Sequence, residues 1–151
     1  LLYDRYKNDK KTGLVVICGS NKWLYKQLHG RYPGKITAVR FTDKMAAYMR
    51  MADVFVTKPG GLSTTEGAVL GVPMVHIMSI PGCETRNMRF FAQYGMSVPV
   101  KRIGMGLPNA TDRLLSRAEA EKITENQRKY INSAAAADIC RLAEKLINNG
   151  L

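Results

Sequence analysis

Two hydrophobic patterns alternate along the chain. Residues 14–18 (LVVIC), 36–41 (ITAVRF), 54–57 (VFVT) and 74–78 (MVHIM) are short apolar runs rich in β-branched residues, the pattern of strands buried on both faces. Between them, residues 22–31, 44–52 and 64–70 carry apolar positions at helical spacing, the second with Met45, Met49 and Ala52 on one face. Alternating strands and helices predict a parallel sheet. A further helix is predicted over residues 85–94, ended by Gly95, then a short strand near 97–100. Residues 100–112 (VKRIGMGLPNATD) hold glycines, a proline and no clear period, and read as a loop. Two helices close the chain, over 117–127 and 133–148, the first opened by Ser116-x-x-Glu119 as a capping box and the second closed by Gly150. The expected fold class is α/β, a Rossmann-like open parallel sheet with helices on both faces.

At 151 residues the chain suits a single domain that buries about 70% of its unfolded surface. It begins at Leu1, and Leu2 to Tyr6 already read as the end of a helix, so a domain of a longer polypeptide is expected. Net charge is +11, and between Asp9 and Asp43 there are seven bases and no acid. That balance favours an anionic partner such as phosphates or an anionic lipid surface, and equally fits a basic face kept for solubility. Tyr3, Tyr6, Trp23, Tyr25 and Tyr32 interleave with the bases, but no nucleic-acid-binding motif accompanies them, so no nucleic-acid partner is expected. Cys18, Cys83 and Cys140 are far apart and form no C-x-x-C pair, which indicates neither a disulfide framework nor a zinc site and fits a reducing cytoplasm. No apolar run approaches a bilayer-spanning length, so membrane contact would be peripheral.

In an open α/β sheet ligands bind outside the carboxyl ends of the strands, and the unusual loops of this chain all fall there. Gly19-Ser20-Asn21 follows the first strand, Thr42-Asp43 the second, Lys58-Pro-Gly-Gly61 the third and Ile80-Pro-Gly-Cys-Glu84 the fourth. Gly60 and Gly61 are free to adopt positive φ and bare their amides before a helix start, where unpaired N–H groups and the helix dipole attract a phosphate. Lys58 adds a point charge or lies in solvent. Glu66 has two readings: the acid of a Ser63-x-x-Glu66 capping box, or a carboxylate placed for a ribose diol. Glu84 and Asn87 either face the crevice as sugar-hydroxyl partners or cap their helix. Gly19-Ser20-Asn21 is not G-x-G-x-x-G, which argues against a nicotinamide cofactor. His76, inside an apolar strand, reads as a satisfied core histidine.

Phe41-Thr-Asp-Lys-Met45, Ala52-Asp53, TKPGGLSTTEG, the LGVP that follows and Ile80-Pro-Gly-x-Glu84-x-x-Asn87 together resemble the C-terminal, donor-binding domain of glycosyltransferase family 28. The likeness runs from about Leu14 to Val98 and is nearest the members that glycosylate diacylglycerol, the processive glucosyltransferases and monogalactosyldiacylglycerol synthases. It implies one half of a GT-B type enzyme, residues 1–151 holding a UDP-sugar and a separate N-terminal half holding the lipid acceptor. It further implies that Glu66 binds the ribose, that Gly60, Gly61, Leu62 and Ser63 cradle the diphosphate, and that Phe41, Thr42 and Met45 frame the uracil. Gly19, Ser20 and Asn21 would lie on the nucleotide's other side, with Glu84 and Asn87 at the sugar or its phosphates. Inverting, metal-independent transfer of a hexose at the cytoplasmic membrane surface is implied, with no cofactor and no catalytic base in this part of the chain.

Two departures from the family pattern, Cys83 where glutamine is common and Ser20 where some relatives carry lysine, bear on the sugar. Competing readings are a transferase adding N-acetylglucosamine to a polyprenyl-linked precursor, and a non-catalytic nucleotide-binding subunit whose acceptor half is another chain.

Overall fold

The computed structural model describes residues 1–77 and 80–148. In chain order the elements are α1 (Leu2–Tyr6), β1 (Leu14–Ile17), α2 (Lys22–Leu28), β2 (Ile36–Val39), α3 (Met45–Met51), β3 (Phe55–Thr57) and α4 (Gly61–Val69). They continue with β4 (Met74–Ile77), α5 (Cys83–Gln93), β5 (Val98–Val100), α6 (Ile103–Leu114), α7 (Arg117–Tyr130) and α8 (Ala135–Asn148). Met78, at the end of the fourth expected strand, and Gly150, the expected stop of the last helix, lie outside the described residues.

All strand pairing is parallel, but it forms two ladders: β1 with β2, and β3–β4–β5 with β4 in the middle. The expected single sheet is thus two separate ladders of two and three strands.

Alternation along the strands explains the helices on both faces. Val54 and Val56, Val75 and Ile77, and Val98 and Val100 point to one side, where Leu107, Ala110 and Leu114 of α6 and Ile123 of α7 cover them. Phe55 and Met74 point to the other, against Ala68 of α4, Phe91 of α5 and Met96. Central β4 is the most buried strand, with Met74, Val75 and His76 fully enclosed. Gly67 lets α4 close on it, since a Cβ there would lie 2.9 Å from Met74 Sδ.

Residues 100–112 are not a loop. Ile103–Leu114 form α6, and Leu107, Ala110, Thr111 and Leu114, at helical spacing, are buried. Gly104, Gly106 and Pro108 weaken the local helical preference by roughly 1 kcal/mol for each glycine and roughly 3 for the proline. Burying each leucine returns about 1.5–3 kcal/mol, so tertiary burial overrides the local signal. Gly106 also has a packing role, as a Cβ would sit 3.1 Å from Val100 Cγ1 on β5. Asp112 of α6 accepts hydrogen bonds from Arg5 and Tyr6, which tie α1 to it.

Neither expected capping box forms. Ser116 is the N-cap of α7 but makes no side-chain cap bond, and Glu119 instead accepts from Arg113 Nε at 2.6 Å. The other fails because α4 begins at Gly61, three residues earlier than expected, which carries Ser63 and Glu66 inside the helix.

Candidate functional site

The N-terminal end of α4 lies on the rim. Gly60 is its N-cap with φ −73° and ψ 146°, and no side chain caps the helix. Thr64 N is the first amide bonded back, to Gly60 O at 3.1 Å, which leaves the amides of Gly61, Leu62 and Ser63 leading out of the helix. Neither glycine uses the positive φ that sequence allowed them. Their contribution is the missing side chain: a Cβ on either would meet nothing within 4 Å, so space stands open above the amides. Glu66 follows one turn later, at i+4 from Leu62 and i+3 from Ser63. Glu66 is exposed and makes no hydrogen bond or ion pair among the described residues, so its carboxylate is uncommitted.

Lys58, Glu84 and Asn87 are engaged with one another's loops. Lys58 Nζ donates to Glu84 Oε1 at 2.7 Å, Ile80 N donates to Glu84 Oε2 at 2.9 Å, and Asn87 Nδ2 donates to the Pro59 carbonyl at 3.0 Å. The bond from Lys58, reinforced by the Ile80 amide, holds the Glu84 carboxyl below its ordinary range. These contacts lash the loop after β4 to the loop after β3. Gly82, at φ 109°, makes the turn into α5, a conformation that a side chain would strain. Glu84 lies in the first turn of α5 and Asn87 in the second.

The other two rim loops meet each other. A cavity of about 360 Å³ is lined by Gly19, Ser20, Lys22, Arg40 and Phe41. Gly19 turns the chain at φ 56°, and Asn21 caps α2 by accepting from Leu24 N at 2.9 Å, which commits its side-chain oxygen. Phe41 is 80% exposed at the cavity's edge. Thr42 Oγ1 accepts from Lys44 N at 3.0 Å and so shapes the turn into α3, where half-buried Met45 is the first residue. The structure therefore joins the rim residues in two pairs of loops, and α3 packs against α4 between them.

Lys22 and Arg40 are missing from the sequence-derived site. Their only sequence signal was adjacency, Lys22 beside Asn21 and Arg40 beside Phe41. Arg40's guanidinium lies 6.0 Å from the Tyr25 ring, which holds it on the α2 side of the cavity. Beneath the rim, His76 Nδ1 is hydrogen-bonded to the Ser97 hydroxyl at 2.9 Å, and Nε2 faces Thr64 Oγ1 at 3.4 Å. Burial pushes its pKa down to about 4, so it is a neutral structural group under α4.

Among solved structures the chain is similar to Acinetobacter baumannii MurG, with a TM-score of 0.72 at 20% identity over 95% of this chain and 46% of that one. The glycotransferase of kitacinnamycin gives a TM-score of 0.71 at 22% identity over 93% of this chain and 37% of that one. These likenesses define the class of the fold, the Rossmann-like α/β domain of GT-B type. More particularly, the chain belongs to glycosyltransferase family 28, whose C-terminal domain matches residues 3–142. It is 28% identical over 148 residues to the processive diacylglycerol beta-glucosyltransferase of Bacillus pumilus, covering 93% of this chain and 39% of that protein. The protein of that name from Staphylococcus aureus is 28% identical over 153 residues, covering 94% and 38%. The chain thus spans about two fifths of the length of these relatives.

Proposed function

We propose that residues 1–151 form the donor-binding domain of an inverting, metal-independent transferase that moves a hexose from a UDP-sugar to a diacylglycerol-type lipid. The observation that carries this reading is the uncapped, glycine-led start of α4, with three outward amides beneath open space and an uncommitted Glu66 one turn further on. Departure of UDP adds negative charge to the diphosphate. Fixed amides and the positive end of the α4 dipole stabilise that charge without reorganising as the bond breaks. Glu66 accepts from the ribose diol, and Gly60, Gly61, Leu62 and Ser63 hold the diphosphate. The cavity beside Phe41, Thr42 and Met45 takes the uracil, with Gly19, Ser20 and Asn21 on its other side.

Glu84 and Asn87 are proposed to act on the sugar from their lashed positions. Lys58 shares its charge between Glu84 and the phosphates. A lipid acceptor is supported by the names of the relatives, and the domain holding it, with the catalytic base, is proposed to lie outside this chain. Work at the cytoplasmic membrane surface follows from such an acceptor. Among the described residues no helix is long and apolar enough to cross a membrane.

The test is calorimetric titration of the chain with UDP, UDP-glucose, UDP-galactose and UDP-N-acetylglucosamine. UDP is expected to bind, and Glu66→Ala to weaken it by roughly 1–3 kcal/mol through the loss of hydrogen bonds to a charged group. Absence of UDP binding by the folded wild type, or unchanged affinity in the variant, overturns the assignment.

A further inference from the structure

The single tryptophan, Trp23, is 69% exposed on α2, a helix with no buried residue. Leu24, Tyr25 and Leu28 are its half-buried inner positions, and α2 rests on β2. Trp23, Lys26 and Gln27 are exposed and follow at i, i+3 and i+4, so they share the outward stripe, with Lys22 one turn before Lys26. Arg31, in the turn after α2, reaches back to the stripe and donates weakly to Gln27 Oε1 at 3.5 Å. No carboxylate lies within ion-pair distance of Lys22, Lys26 or Arg31 among the described residues. The reason is visible in the sequence, where the 33 positions from 10 to 42 contain no acid.

We infer that the outer face of α2 docks on an anionic lipid bilayer, with Trp23 seated at the headgroup level and Lys22, Lys26 and Arg31 against lipid phosphates. Unpaired cations of one sign supply the charge complementarity, each worth about fivefold in partition near an anionic surface. The indole supplies an apolar body with one N–H donor, the chemistry that favours the water–hydrocarbon boundary. A nucleic acid is the weaker fit, since stacking on successive bases needs several exposed rings and α2 offers one. This inference rests on the lipid-acceptor reading above and adds to it the face presented to the membrane. Because Lys22 also lines the cavity beside Phe41, docking through α2 brings the donor site to the bilayer surface.

The experiment uses the whole chain with phosphatidylcholine vesicles containing zero or about one third phosphatidylglycerol. Trp23 itself is the reporter, because no other tryptophan contributes to the emission. Anionic vesicles at low salt are expected to shift its emission to the blue and to sediment the protein. Neutral vesicles or about 0.5 M salt are expected to abolish both effects. Trp23→Ala and Lys26→Glu should each lower vesicle partition by about fivefold or more. The charge-matched Lys122→Glu, on α7, should lower it far less. Equal losses in Lys26→Glu and Lys122→Glu, sedimentation with unshifted Trp23 emission, or preferential release by single-stranded RNA over anionic vesicles would each overturn the inference. UDP titration of Trp23→Ala and Lys26→Glu separates the two readings, since nucleotide affinity is expected to stay at the wild-type value while vesicle binding falls.

Discussion

His76 and Glu66 mark the two ends of what a residue reveals about itself. An imidazole in an apolar strand reads as a core group, and His76 is indeed enclosed and bonded to Ser97. Its folded pKa of about 4 lies below the unfolded value near 6.5. Between those values the unfolded chain takes up a proton that the folded chain refuses, so stability falls as pH drops from 6.5 toward 4 and the loss is complete below 4. The swing is on the order of 3 kcal/mol. Denaturant titrations at pH 7 and 4.5 are expected to show it in the wild type and not in His76→Gln. For Glu66, the local pattern offered a cap and a ligand with equal geometry. The true start of α4 removes the cap reading, by moving the cap to Gly60 and leaving the carboxylate without a partner among the described residues. Lys58, Glu84 and Asn87 show the reverse case: side chains read as ligands are already joined across two loops, a contact 26 to 28 positions apart that no spacing rule anticipates.

Elements were legible where local preference and burial agree. The strands and α3, α5 and α7 follow from apolar period and β-branched runs, and Gly95, at φ 62°, ends α5 as read. α6 was missed because Gly104, Gly106 and Pro108 speak against a helix that Leu107, Ala110 and Leu114 require. Pro108 removes an amide from the helix interior, so Pro108→Ala is expected to raise stability by about 1–3 kcal/mol. Thermal or urea unfolding measures it directly, and no gain would mean that α6 draws nothing from restoring that bond. At the far end, α8 buries no residue and leaves Ile139, Leu142, Leu146 and Ile147 exposed.

The molecule as a whole exposes 10520 Å², against about 7,700 Å² for a compact monomer of this mass. The excess includes α8 and the outer face of α2. With a net charge of +11 the folded state also repels itself, and screening should relieve this. Its thermal midpoint at pH 7 is expected to rise as sodium chloride is raised from about 0.01 to 0.2 M, and a flat or falling midpoint would contradict self-repulsion as a destabilising term. Composition, periodicity and the ordered loop motifs determined the α/β class, the parallel strand direction and the rim on which the glycine-led loops fall, because these depend on local chain geometry and sign of charge. Tertiary structure decided which rim loops touch, where α4 begins, that Lys22 and Arg40 line the cavity and that residues 103–114 are helical. Those features depend on contacts between distant residues, whose burial outweighs the local preferences that a sequence displays.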